Sequence, residues 1–227
     1  ENSFKKILFP MKLAKLDKFL FVILGVDIIF ILLSLIDSFS GLNFNNFAVQ
    51  NDNLFAEKFQ YLKFIGIAYI SSLLAIKRRS PNFLVFMIIP IYLYLDDSKQ
   101  LHERFGNKIA SFLYEGSSND FLIRYFRYQD IGEILYMSLM ALFLLIIFLI
   151  CLKLSDLYDR NFLKNILTLF IIFGIFAIFV DAIHMLSRGF VFDLLTVIED
   201  GGEMIPISFI IGYFFKYLIN NRKEHIK

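Results

Sequence analysis

A single cysteine, Cys151, occurs in the whole chain. One cysteine excludes an intrachain disulfide and a thiolate metal cluster. Its place inside an apolar run reads as a small, inert residue of a buried helix. The chain also lacks a phosphate-binding glycine loop, an HExxH helix and a G-x-S-x-G nucleophile turn, which removes the soluble reaction classes built on those motifs. No internal repeat and no low-complexity tract is present. Charge is scarce, at 19% Asp, Glu, Lys and Arg. The basic residues that do occur are explained by membrane topology and give no sign of nucleic-acid binding. A cleavable signal peptide is not expected either. Lys5, Lys6, Lys12, Lys15 and Lys18 precede the first apolar stretch, but no small-residue cleavage site follows it and it is long for a signal core.

What the chain has in excess is apolar sequence. Hydrophobic residues make up 58% and mean hydropathy is +0.65, against about 45–50% apolar residues in soluble domains. The excess sits in blocks. Ile131–Leu152 carries one charge, Glu133, and Asn165–Phe179 carries none. Apolar runs near about 20 residues are candidate membrane spans. The sequence predicts an all-α, polytopic membrane bundle, a single domain over residues 1–227. Its six spans are Phe19–Ile36, Tyr61–Ile76, Asn82 to about Leu101, Ile131–Leu152, Asn165–Leu186 and Glu199–Ile219. Asp37–Gln60 reads as a loop, Lys77–Pro81 as a tight break, and Ser98–Asp130 as the longest connection. The tail of that connection, Phe121–Tyr128, mixes arginines with aromatics and suits a membrane interface.

Basic residues orient the bundle. With both termini cytoplasmic, fifteen of the 23 Lys and Arg residues fall on the cytoplasmic side, as the positive-inside rule prefers. Acidic residues run the other way, fifteen of 21 lying outside. The expected location is a cell membrane, most simply a bacterial inner membrane. The expected partners are membrane lipids, with a homo-oligomer or a larger membrane complex as further options.

Three acidic and histidine-bearing motifs then converge. The third span ends in Asp96-Asp97 with His102-Glu103 close behind. The fifth ends in Asp181 and His184, and the sixth begins with Glu199, Asp200 and Glu203. Alternating spans place all three at the outer face. The third and sixth spans are too short without their acidic turns, so these charges are expected below the membrane surface, where ionisable groups face a bundle interior or cavity. Asp181 with His184, and Glu199 with Glu203, share helix faces. Asp96 and Glu103, seven apart, are expected near one stripe. Histidine with several carboxylates is a ligand set for Zn, Mn or Fe, and helix-borne carboxylates and histidines build metal sites in bundles. His102, Asp181, His184, Glu199 and Glu203 are the candidate metal ligands, with Glu103 and Asp97 as candidate catalytic bases. His225, in the polar tail, has no such context.

A purely structural reading stays open beside this one. Glu199, Asp200 and Glu203 would serve as helix N-terminal charges, and Lys99, Arg104 and Arg188 would pair with the acids. Asp27, in the middle of the first span, is a candidate proton relay. Its structural alternative is a hydrogen bond to Ser71, Ser72 or a tyrosine. Pro90 and Pro206 would kink the third and sixth spans.

The pattern Leu95-Asp96-Asp97 with His102-Glu103, followed by Glu199-Asp200-x-x-Glu203, resembles one found in uncharacterised bacterial multi-pass membrane proteins, and implies no particular activity. The type of site is also distantly similar to that of alkaline-ceramidase-like membrane metal hydrolases, which place Asp and His on helix ends. Those enzymes have seven spans and a His-rich zinc site. The resemblance implies metal-dependent hydrolysis of a lipid-like substrate. Cation or proton transport, and a non-catalytic role in a larger complex, remain as the other classes.

Overall fold

The computed structural model describes residues 18–40, 44, 46–49, 54–114 and 127–224. Every regular element among them is helical: α1 (Lys18–Ser40), α2 (Phe55–Arg78), α3 (Asn82–Ser98), α4 (Leu101–Tyr114), α5 (Tyr128–Leu154), α6 (Leu157–Gly174), a π-helical turn (Ile175–Val180), α7 (Asp181–Leu186) and α8 (Phe190–Glu224). The interfacial segment expected at 121–128 lies mostly outside the described residues, as do the first four N-terminal lysines and His225.

Four helical stretches are long and apolar enough to cross a bilayer: Lys18–Ser40, Phe55–Arg78, Tyr128–Leu154 and Asp159–Leu186. Their outward faces are apolar, with Phe21, Leu62, Tyr69, Ile76, Leu142, Phe143 and Phe179 all more than half exposed. A row of large apolar side chains facing outward is costly in water and suited to hydrocarbon. The molecule is a helical membrane protein.

α8 is the central strut. It packs against α1, α2, α6, the π turn and α7. Its 35 residues rise about 52 Å, well beyond the roughly 30 Å hydrocarbon thickness. At one end of the bundle the core is dense and aromatic. Phe83, Phe86, Leu163, Ile166, Ile210 and Phe214 are essentially fully buried, and Phe162 packs edge-on to Phe214 with centroids 5.1 Å apart. This end carries Lys77, Arg78 and Arg79. Its polar groups are closed off: Asp159 takes hydrogen bonds from Arg78 at 2.9 Å and from Tyr217, and Asn82 donates to Ser155 at 2.7 Å. Cys151 is buried beside them and unpaired by any disulfide, as expected of a small apolar residue.

Several boundaries differ from the sequence expectation. α2 begins at Phe55, inside the stretch expected as a loop, and α6 begins at Leu157, ahead of the expected Asn165. The third helix stops at Ser98, not near Leu101, because Gln100 adopts a left-handed backbone with φ of 50°. That turn costs a non-glycine residue some strain and starts a separate helix, α4. Asp96 and Glu103 therefore lie on different helices and share no stripe. α4 was missed as an element, yet its apolar residues recur at helical spacing. It crosses α5 through two glycines. A Cβ built on Gly132 would stand 2.0 Å from the Gly106 carbonyl oxygen, so only glycine permits this approach.

The last correction concerns α8, which begins at Phe190 after a three-residue turn at Ser187–Gly189, where Gly189 has φ of 59°. Glu199, Asp200 and Glu203 lie more than two turns inside it. They do not act as N-terminal charges on the helix dipole, as expected from the sequence, since that effect fades within the first turn. Asp193 is the acidic residue of the first turn.

Candidate metal centre and amphipathic cavity

Opposite the dense aromatic core, the helices part around a cavity of about 820 Å³. The α4–α5 pair forms one wall and touches α3, α6 and the π turn sparsely. The other walls come from α3, α6, the π turn, α7 and α8. The cavity is graded. Its deep end is apolar, with Phe64, Ile89, Phe148, Leu167 and Phe170. Its other end holds Asp96, Asp97, His102, Glu103, Glu133, Asp181, Glu199, Asp200 and Glu203. The motifs of the third, fifth and sixth expected spans thus do line one space.

Within that end the site residues separate. Asp181, His184 and Glu199 form a group whose ligand atoms all lie within 4.8 Å of one another. His102, Glu203, Asp97 and Glu103 line the same cavity but stand outside this group. His102 instead places its Nδ1 3.1 Å from Asp96 Oδ2. Burial opposes its protonation, but the Asp96 hydrogen bond and the charges of Asp96, Asp97 and Glu133 outweigh that and hold its pKa above the ordinary 6.5. Glu203 follows Glu199 by one turn on the same face of α8, within electrostatic reach of Asp97, Asp181, Glu199 and Asp200.

The backbone explains why Asp181 faces the cavity and His184 reaches Glu199. The π turn immediately before them adds a residue, which rotates everything after it by roughly 100° relative to a straight α-helix. Gly202 on α8 lets this turn approach: a Cβ there would meet the Phe176 ring at 2.2 Å.

His184 is held on both sides. Thr196 Oγ lies 2.9 Å from the Phe192 carbonyl and 2.9 Å from His184 Nε2, and its single hydroxyl proton can serve either, so the ring tautomer depends on which acceptor it takes. Nδ1 faces the acids. It lies 2.8 Å from Glu199 Oε2 and 4.0 Å from Asp181 Oδ1. The Glu199 contact is short enough for an ion pair, yet Oε2 is buried and accepts no hydrogen bond. One histidine nitrogen and two carboxylates each offer a ligand atom within 4.8 Å of the others, close enough to share one ion. A histidine fixed through its second nitrogen while the first faces carboxylates is the common arrangement of a metal ligand.

Lys63, Ser208 and Glu133 were not singled out by sequence. Lys63, buried on α2, donates to Asp27 at 2.9 Å, to the Met204 carbonyl at 3.0 Å and to Ser208 at 3.1 Å. Ser208 donates to the second oxygen of Asp27. Asp27 therefore bonds Lys63 and Ser208 and not Ser71, Ser72 or a tyrosine, the partners expected in the structural alternative. Ser72 donates to the Tyr69 carbonyl at 2.7 Å, and Ser71 Oγ has no hydrogen-bond partner among the described residues. Asp27 does not line the cavity. The signal was available, for Lys63 is a lone charge inside an apolar stretch. The expected pairings of the acids with Lys99, Arg104 and Arg188 are not among the ion pairs of the described residues. Arg127–Asp130 and His102–Asp96 are, and His184 Nδ1 lies 2.8 Å from Glu199.

Residues 54–217 match the family described as the domain of unknown function DUF8692. The chain belongs to the DUF8692 family. The matched region contains the cavity, the Asp181–His184–Glu199 group and Lys63, while Asp27 precedes it. No curated protein and no solved structure matches the chain.

Proposed function

We propose that this DUF8692 protein is a membrane-embedded, metal-dependent enzyme, a hydrolase of a lipid-like substrate. The reading places six helices across a bacterial inner membrane, both termini in the cytoplasm and the acidic cavity at the outer face. α1, α2, α3, α5, the α6–α7 rod and α8 are the six. The observation that carries the proposal is the group of His184, Glu199 and Asp181, whose ligand atoms lie within 4.8 Å of one another, with both carboxylates lining the polar end of the cavity. Closely set carboxylates repel unless a cation or shared proton lies between them. One nitrogen and two carboxylate oxygens leave a further coordination position for water or substrate, as catalytic zinc sites do. Bound there, a divalent ion (Zn, Mn or Fe) would supply Lewis acidity and an activated water. Glu203, one turn from Glu199, is the nearest candidate for general base. Asp97 and Glu103 reach the same space and remain second candidates.

A cation or proton pathway would run through Asp27. The buried ion pair with Lys63, and the absence of Asp27 from the cavity wall, favour a structural role for that residue.

Elemental analysis of protein purified without chelator tests the proposal. About one equivalent of a transition metal is expected, retained on gel filtration and lost in His184→Ala and in Glu199→Gln. The reading is overturned if wild-type protein, reconstituted with zinc, manganese or ferrous iron, holds none above the level of the two variants.

A further inference from the structure

We propose that the cavity takes a single-chain amphiphile with a cationic, amine-type headgroup. This names the substrate class of the site described above, and its chemistry rests on that reading. Three features carry it.

Access comes first. Leu142 and Leu145 on α5, and Ile171, Ile175 and Phe179 on α6 and the π turn, line the cavity and are also exposed on the outer surface, from 36% to 63%. A side chain that faces both inward and outward marks an opening. This one lies between two helices whose outer faces are apolar, so a molecule can enter sideways from the hydrocarbon.

Shape is the second feature. The cavity falls within the range of about 300–1,000 Å³ typical of pockets for small ligands. It offers an apolar end among Phe148 and Phe170 and a polar end at the metal group, room for one chain and one headgroup.

Charge is the third. Among the described residues, eight carboxyl groups line the cavity, against one arginine and His102. The arginine, Arg127, is largely solvent-exposed and already paired with Asp130 at 2.8 Å. Carboxyl groups thus outnumber cationic side chains in the described wall by eight to two. Proton sharing among neighbouring carboxyls lowers that surplus but supplies no positive wall. Phosphate and carboxylate headgroups are recognised by Arg and Lys donors; among the described residues the cavity offers only Arg127, already engaged by Asp130. A like-charged headgroup is repelled more strongly here than in bulk water because the site is partly dry. An ammonium headgroup meets the opposite field.

The test uses full-length protein in dodecyl maltoside and three probes with the same chain: hexadecylamine, hexadecanol and hexadecyl phosphate. Affinity is read from ligand-dependent thermal stabilisation at pH 7. Hexadecylamine is expected to bind at least ten-fold more tightly than hexadecanol, and hexadecyl phosphate not to stabilise at all. Removing one wall charge outside the metal group, by Glu133→Gln, should weaken amine binding at least three-fold while the protein still retains metal. Ala141→Phe, which fills the apolar part and alters no charge, should weaken amine and alcohol alike. The proposal is overturned if phosphate or alcohol binds as tightly as amine, or if amine binding ignores Ala141→Phe, which would mark adsorption to the surface. Amine preference without metal sinks only the metal reading. Metal without amine preference sinks only this one.

Discussion

Breaking the Lys63–Asp27 pair one side at a time should cost far more than replacing both sides together. Lys63 and Asp27 are 2% and 0% exposed, so neither can recruit water when its partner goes. Lys63 uses all three ammonium donors, on Asp27, the Met204 carbonyl and Ser208. The network joins α1 to α2 and to α8 beside Pro206. In Lys63→Met, Asp27 keeps only the Ser208 hydroxyl. In Asp27→Asn, an ammonium is buried without a counter-charge. Each single change should destabilise by about 3–5 kcal/mol, the usual result of stranding one member of a buried pair. The double variant strands no charge and buries similar volume. It should fall short of the sum of the singles by several kcal/mol, since replacing a buried pair outright is often nearly neutral. The chain has no tryptophan, so unfolding in mixed maltoside and dodecyl sulfate micelles is best followed by circular dichroism. Additive effects, or single variants within about 1 kcal/mol of wild type, would refute the reasoning, because they would mean that the pair is hydrated or unformed.

Two further predictions bear on the cavity wall. Gly132→Ala forces a methyl group onto the Gly106 backbone and should destabilise by about 1–3 kcal/mol through overpacking, whereas Gly25→Ala, with no atom within 4 Å of the new Cβ, should be nearly neutral; equal melting temperatures for the two would show that α4 and α5 do not cross here. The raised pKa of His102 means that its bond to Asp96 contributes fully below the ordinary value of 6.5 and fades as pH rises through the raised one; the stability gap between wild type and His102→Gln should therefore shrink from pH 6 towards pH 9, and a gap that stays level or widens would contradict the protonated pair.

By itself the sequence determined the environment and the main helices. Long apolar stretches need a solvent without water, and a chain in that solvent must satisfy its backbone internally, so helices follow directly from composition. It also brought the acids of three distant segments to one end of the bundle, because alternating spans leave their ends nowhere else to go. Only the tertiary structure decided which of those residues act together. Facing depends on turns that leave little trace in hydrophobic spacing. The π turn before Asp181 rotates it and His184 towards Glu199, Gln100 sends His102 onto another helix and into Asp96, and the early start of α8 puts Glu199 deep within a helix. Lys63 shows the same limit from another side: a charge in an apolar run announces a partner, but the partners came from residues 36 and 145 positions away, and only packing can choose among them.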